Sequence, residues 1–119
     1  MDKEEASRYY KMVADKGHIA AMFNYGYMLE NGDGINMNKE EACRYCKMAA
    51  DKGQTDALFN YGLMLYHGRG VITSKEQAGQ YFKMAADKGD INAMFNYGLM
   101  LEKCEGVEMN KEKACRYYK

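Results

Sequence analysis

The string Lys-Glu-x-Ala begins at Lys3, Lys39, Lys75 and Lys111, and the spacing is 36 residues each time. Self-similarity at a fixed period of this size constrains the fold more than any single motif, because each copy must be one supersecondary unit that buries its apolar face on its neighbours. The copies are residues 3–38, 39–74 and 75–110, with 111–119 a fourth cut short, so residues 1–119 read as a single repeat domain. The shared positions fall in blocks: Lys-Met-x-Ala-Asp-Lys-Gly, Phe-Asn-Tyr-Gly-x-Met-Leu, and a last glycine before Ile or Val.

Each copy reads as two helices. From Lys39 to Lys52 the residues Ala42, Tyr45, Cys46, Ala49 and Ala50 recur at i, i+3, i+4, i+7 and i+8, one stripe of a helix. Asn38 with Glu41 forms a capping-box pattern, repeated by Ser74 with Gln77 and Asp2 with Glu5. Asn110 with Lys113 breaks it. Lys52 suits the C-terminal end of the dipole, and Gly53, like Gly17 and Gly89, can take the left-handed conformation that ends a helix. A second helix is expected from about Thr55 to His67. Ala57, Leu58, Tyr61, Gly62, Met64 and Leu65 cover one arc of it, and Phe59, Leu63 and Tyr66 lie on the other side. A mid-helix glycine costs about 1 kcal/mol against alanine. Its recurrence as Gly26, Gly62 and Gly98 therefore points to a close helix crossing that admits no side chain.

Composition narrows the classes. Proline is absent, which fits continuous helices joined by glycine turns. Lys plus Arg and Asp plus Glu both number 17, and this balance argues against nucleic acid as a partner. No apolar run approaches the roughly 20 residues of a membrane span. The start, Met1-Asp2-Lys3-Glu4-Glu5, lacks a secretory-signal pattern. With four cysteines and no loop-rich framework, reduced thiols and a cytoplasmic location are the expectation.

The repeat resembles the SEL-one-like repeats, a subfamily related to tetratricopeptide repeats. The resemblance rests on the run Ala57 to Val71, with Tyr61-Gly62 and Gly68-Arg69-Gly70-Val71, and on the preceding run Ala42 to Gly53, with Lys47, Ala49-Ala50 and Gly53. It recurs three times in register over nearly the whole chain. Tyr45 stands where the family often has tryptophan, Met48 where it often has lysine, and Cys104 where it has glycine. The resemblance implies an all-α, right-handed superhelix of antiparallel helix pairs and a non-enzymatic scaffold or adaptor for protein partners. A few bacterial proteins with this repeat are called beta-lactamases, but no Ser-x-x-Lys motif occurs here.

Cys43-x-x-Cys46, with Cys104 and Cys115, has the ligand types of a zinc site. However, Cys46 occupies the place of Tyr10, Phe82 and Tyr118, and Cys43 that of Ser7, Gly79 and Cys115, so core packing is the preferred reading and no metal or cofactor is expected. His18 and His67 do not recur and fall near helix ends, where exposure is expected. Glu40 with Arg44, and Glu112 with Arg116, have i,i+4 ion-pair spacing. Asn24, Asn60 and Asn96 form a row that could grip a peptide backbone or bond to a neighbouring repeat. Phe23, Phe59 and Phe95, with Tyr27, Leu63 and Leu99, form an aromatic and aliphatic row that would suit a concave partner-binding groove, or else pack successive helices. Met12, Met48 and Met84 form a third row, expected to be partly buried.

The chain opens on a helix with the stripe Ala6, Tyr9, Tyr10, Val13, Ala14, and Tyr117 and Tyr118 repeat its centre near Lys119. Solenoids normally close with polar caps. These stripes at both ends therefore suggest a second possibility, a solenoid that self-associates into homo-oligomers through Tyr9, Tyr10, Val13, Tyr117 and Tyr118.

Overall fold

The computed structural model describes residues 2–103 and 105, and within them helices are joined by short turns. Six helices of equal length follow one another: α1 Lys3–Asp15, α2 Ile19–Asn31, α3 Lys39–Asp51, α4 Thr55–His67, α5 Lys75–Asp87 and α6 Ile91–Lys103. Each packs on its neighbours in the chain, and the described residues contain no strand. The result is a rod of 52 × 23 × 21 Å, the shape of a one-dimensional stack. The expected all-α solenoid of helix pairs is thus observed. The fourth, partial copy lies outside the described residues.

The stripes are where the periodicity puts them. Ala42, Tyr45, Cys46, Ala49 and Ala50 are all buried on α3, and Ala57, Leu58, Tyr61, Gly62, Met64 and Leu65 on α4. Leu58, Met64, Leu65 and Met22 are among the largest fully buried side chains, and each such burial contributes about 1.5–3 kcal/mol. Gly53 ends the turn after α3 at φ +90, as expected.

Glycine sets the crossings. A Cβ built at Gly26 would stand 3.1 Å from the carbonyl of Ala42, and one at Gly62 would stand 2.8 Å from the Phe82 ring. Nothing described comes within 4 Å of a Cβ at Gly98.

The capping boxes form only in part. Asn38 Oδ1 accepts from the Glu41 N–H at 3.0 Å, and Ser74 Oγ from the Gln77 N–H at 3.2 Å. The reciprocal bond is not made, because the cap amides are used elsewhere. The Asn38 N–H donates to the Leu29 carbonyl and the Ser74 N–H to the Leu65 carbonyl. Those carbonyls lie in the last turns of α2 and α4 and have no partner within their own helix. Glu41 instead takes Arg44 at 2.9 Å, so Arg44 pairs at i,i+3 rather than with Glu40. Glu112 and Arg116 lie outside the described residues.

Candidate interaction surface

Second-type helices α2, α4 and α6 begin on side-chain caps of their own. His18 Nδ1 accepts from the Ala21 N–H at 3.1 Å, Gln54 Oε1 from Ala57 at 2.9 Å and Asp90 Oδ1 from Ala93 at 3.0 Å. His18 is exposed, as expected, yet its ring fixes the start of α2. His67 is exposed and lies edge-on to Tyr66, with ring centroids 5.1 Å apart.

The thiols sit in the core. Cys43 and Cys46 are free and buried. Cys46 Sγ donates to the Ala57 carbonyl at 3.6 Å and accepts from Asn60 Nδ2 at 3.8 Å. Burial pushes the Cys43 thiol up to about 11 and Cys46 up to about 12. Both are therefore held protonated and poor as nucleophiles or metal ligands. Among the described residues no three of His, Cys, Asp and Glu converge. Cys104 and Cys115 lie outside them.

The nine candidate partner-binding residues share α2, α4 and α6 but not one environment. Phe23 is half-buried, with its ring 6.4 Å from that of Tyr27, which is 55% exposed. Phe59 is half-buried against Phe82 of α5, centroids 5.8 Å apart, so it also packs helices together. Phe95 is 65% exposed. Asn24 is exposed, Asn60 is engaged by Cys46, and Asn96 faces a pocket of about 200 Å³ between α4, α5 and α6. Leu63, Phe82 and Leu99 give that pocket an apolar lining, and Lys103 gives it a cation. At its edge Glu105 accepts from Tyr66 at 2.7 Å and from Lys75 at 2.8 Å. The Lys75 bond, with that of Tyr66, holds the Glu105 carboxyl below its ordinary value. Met48 is half-buried, whereas Met12 and Met84 are exposed.

Two ties between repeats are not apparent from the pattern alone. Tyr45 Oη donates to Asp15 Oδ1 at 2.7 Å, and Tyr81 Oη to Asp51 Oδ1 at 2.9 Å. Each of these tyrosines also meets a tyrosine of the helix before it edge-on, Tyr25 with Tyr45 and Tyr61 with Tyr81. The second tie is Arg69 to Glu30 at 3.0 Å, joining the turn after α4 to the end of α2.

The family model of the Sel1 repeat matches residues 19–54, 55–90 and 91–119. The chain belongs to the Sel1 repeat family. The Sel1 copies are cut at the start of α2, α4 and α6, so two of them pair the helices that cross at Gly26 and at Gly62. Sel1 repeats generally serve as non-catalytic protein-interaction scaffolds.

Solved structures agree. A protective antigen of uropathogenic Escherichia coli displaying an SLR fold superposes with a TM-score of 0.88 at 28% identity, over 98% of this chain and 25% of that one. A Sel1 repeat protein from Oxalobacter formigenes gives 0.86 at 31% identity, over 97% of this chain and 47% of that one. Cysteine rich protein B of Helicobacter pylori shares the fold, with a TM-score of 0.74 at 22% identity, over 79% of this chain and 71% of that one. The chain thus spans a quarter and just under half of the first two proteins. None of the curated proteins matches it. Among the described residues no helix is long and apolar enough to cross a membrane.

Proposed function

We propose that this Sel1 repeat chain is a non-enzymatic adaptor that binds a peptide or protein segment along the face shared by α2, α4 and α6. The observation that carries the reading is the pocket between α4 and α6, where Leu63, Leu99 and Asn96 meet. It offers an apolar seat for a side chain beside an amide that can both donate to and accept from a peptide backbone. Tyr27 extends the same face by one repeat with an exposed ring, next to Phe23 and Asn24. Amphipathic aromatic rings of this kind are preferred anchors of protein interfaces. Phe59, Asn60, Phe95 and Leu99 complete the row. The reading needs no cofactor or metal, and it makes nucleic acid and membrane poor partners for a surface of balanced charge.

The test is selection from a displayed library of random peptides, followed by affinity measurement on Tyr27→Ser and Asn96→Ala. Tyr27 is exposed and Asn96 is half-exposed, so neither change removes a core contact. The selected peptides are expected to lose at least about tenfold in affinity, roughly 1.4 kcal/mol, with the thermal midpoint unchanged. Failure to enrich any peptide, or peptides indifferent to both substitutions, contradicts the proposal.

A further inference from the structure

Asparagine recurs at 24, 60 and 96 on α2, α4 and α6, and the position 14 residues before each carries Tyr10, Cys46 and Phe82 in turn. Each such pair belongs to one helix pair, α1 with α2, α3 with α4 and α5 with α6. In the middle copy the two side chains are bonded. Asn60 Nδ2 donates to Cys46 Sγ at 3.8 Å, and the thiol in turn donates to the Ala57 carbonyl at 3.6 Å, one turn earlier on α4. Cys46 is only 1% exposed, and the backbone at Cys46 lies against α2 at Gly26. Asn60 itself is half-buried.

The equivalent side chains cannot hold an asparagine in this way. Phe82 has neither donor nor acceptor. Its ring fills the space instead, 2.8 Å from a Cβ built at Gly62 and 5.8 Å, centroid to centroid, from Phe59. Asn96 lines the pocket beside that ring. Tyr10 carries its one polar atom at the far end of the ring, and it is exposed, as are Tyr9 and Val13 of the same stripe and Asn24 on α2. Tyr118, the fourth equivalent, lies with Tyr117 outside the described residues. Among the described copies, only cysteine is both short enough to lie under the asparagine and able to accept from it.

We propose, resting on the adaptor reading above, that Cys46 is a positioning residue that turns the Asn60 amide inward and withdraws it from the face that binds the peptide. An N–H directed at the sulfur commits the amide to α3, because the group is rigid and moves as one. The face then meets a bound segment at α4 with the apolar side chains Phe59 and Leu63, and it offers the peptide backbone an amide from the neighbouring helices instead. A segment that crosses α4 is therefore selected by its apolar side chain and not by its backbone. Residue 46 thus sets what the middle repeat reads, although Cys46 is buried and touches no partner.

Nuclear magnetic resonance of the Asn60 side-chain amide in the full chain tests this. Cys46→Val removes the acceptor and Cys46→Ser keeps one. Circular dichroism checks that each variant keeps its helices, and Cys46→Ala replaces the valine variant if it does not. Exchange of the Asn60 amide protons with water is expected to rise about fivefold in Cys46→Val and to stay near the wild-type rate in Cys46→Ser. Peptides selected against Cys46→Val are expected to lose about fivefold more affinity on Asn60→Ala than peptides selected against the wild type. An exchange rate indifferent to loss of the sulfur overturns the proposal, and so does an equal loss of affinity by both sets of peptides. If neither protein selects a peptide, the adaptor reading fails, while the exchange rates still decide whether Cys46 positions Asn60.

Discussion

The hydroxyl of Tyr81 donates to the carboxylate of Asp51, 2.9 Å away and 30 residues earlier, from one outer helix to the end of the previous one. The bond ties the second copy of the repeat to the third, and Tyr45 with Asp15 ties the first to the second. A hydrogen bond to a charged group contributes about 1.5–3 kcal/mol when shielded, but solvent reaches Asp51 and screens part of this. Tyr81→Phe is expected to cost about 1 kcal/mol in urea unfolding at neutral pH. Asp51→Asn on that background should add little, because the pair acts as a unit.

Acid should weaken the stack. Burial pushes the Asp51 carboxyl up, but its bonds from Lys47 and Tyr81 outweigh this and hold it below the ordinary 3.8. Glu105 is held below 4.5 by its bonds from Lys75 and Tyr66. A carboxylate with a depressed folded value stabilises the fold above its unfolded value, and that stability is lost as pH falls through the folded one. The urea midpoint is therefore expected to drop as pH goes below about 4.5, and the drop should be shallower in the Asp51→Asn, Tyr81→Phe double variant.

Alkali should act from the other side. Burial pushes Tyr61 up to about 12, and burial with the Asp51 bond raises Tyr81 above its ordinary 10.0. Their neutral forms support the fold below pH 10, and that support goes as pH climbs through the folded values. Tyrosinate absorbance is expected to show a late phase that coincides with loss of helix. Complete ionisation before unfolding would contradict it.

The glycines at the two crossings should not accept a side chain. Gly62→Ala puts a methyl 2.8 Å from the buried Phe82 ring, and Gly26→Ala puts one 3.1 Å from a backbone carbonyl. Overpacking costs about 1–3 kcal/mol, more than the roughly 1 kcal/mol that alanine gains in helix propensity. Both are expected to lower the thermal midpoint.

Cys43 and Cys46 are expected to resist maleimide in the native protein and react on unfolding. A thiol raised from 9.0 to about 11 has its thiolate population cut roughly 100-fold. Modification of either within minutes at pH 7, read by mass spectrometry, would contradict the buried placement.

Much of the fold is legible in the sequence because the physics is local. A period of 36 fixes the unit, and the i, i+3, i+4 spacing of Ala42, Tyr45 and Cys46 fixes the buried face. The recurrence of glycine at 26 and 62 marks the crossings. What is not legible depends on which elements become neighbours. Glu41 fits a capping box, but the chain enters α3 beside the last turn of α2, and the Asn38 amide goes there instead. Tyr45 and Asp15 each recur at the period, but only stacking shows that they meet. The candidate binding row is the hardest part. Phe59 packs on Phe82 of the next helix, a contact that spacing within one helix does not reveal, and the residue equivalent to Phe82 for Phe95, Tyr118, lies outside the described residues.

Nuclear magnetic resonance perturbation by a selected peptide tests the central claim most directly. Shifts are expected at Tyr27 and at the methyls of Leu63 and Leu99, with none on the outer faces of α1, α3 and α5. Shifts confined to those outer helices, at Met12, Arg44 or Met84, would contradict an adaptor that works through α2, α4 and α6.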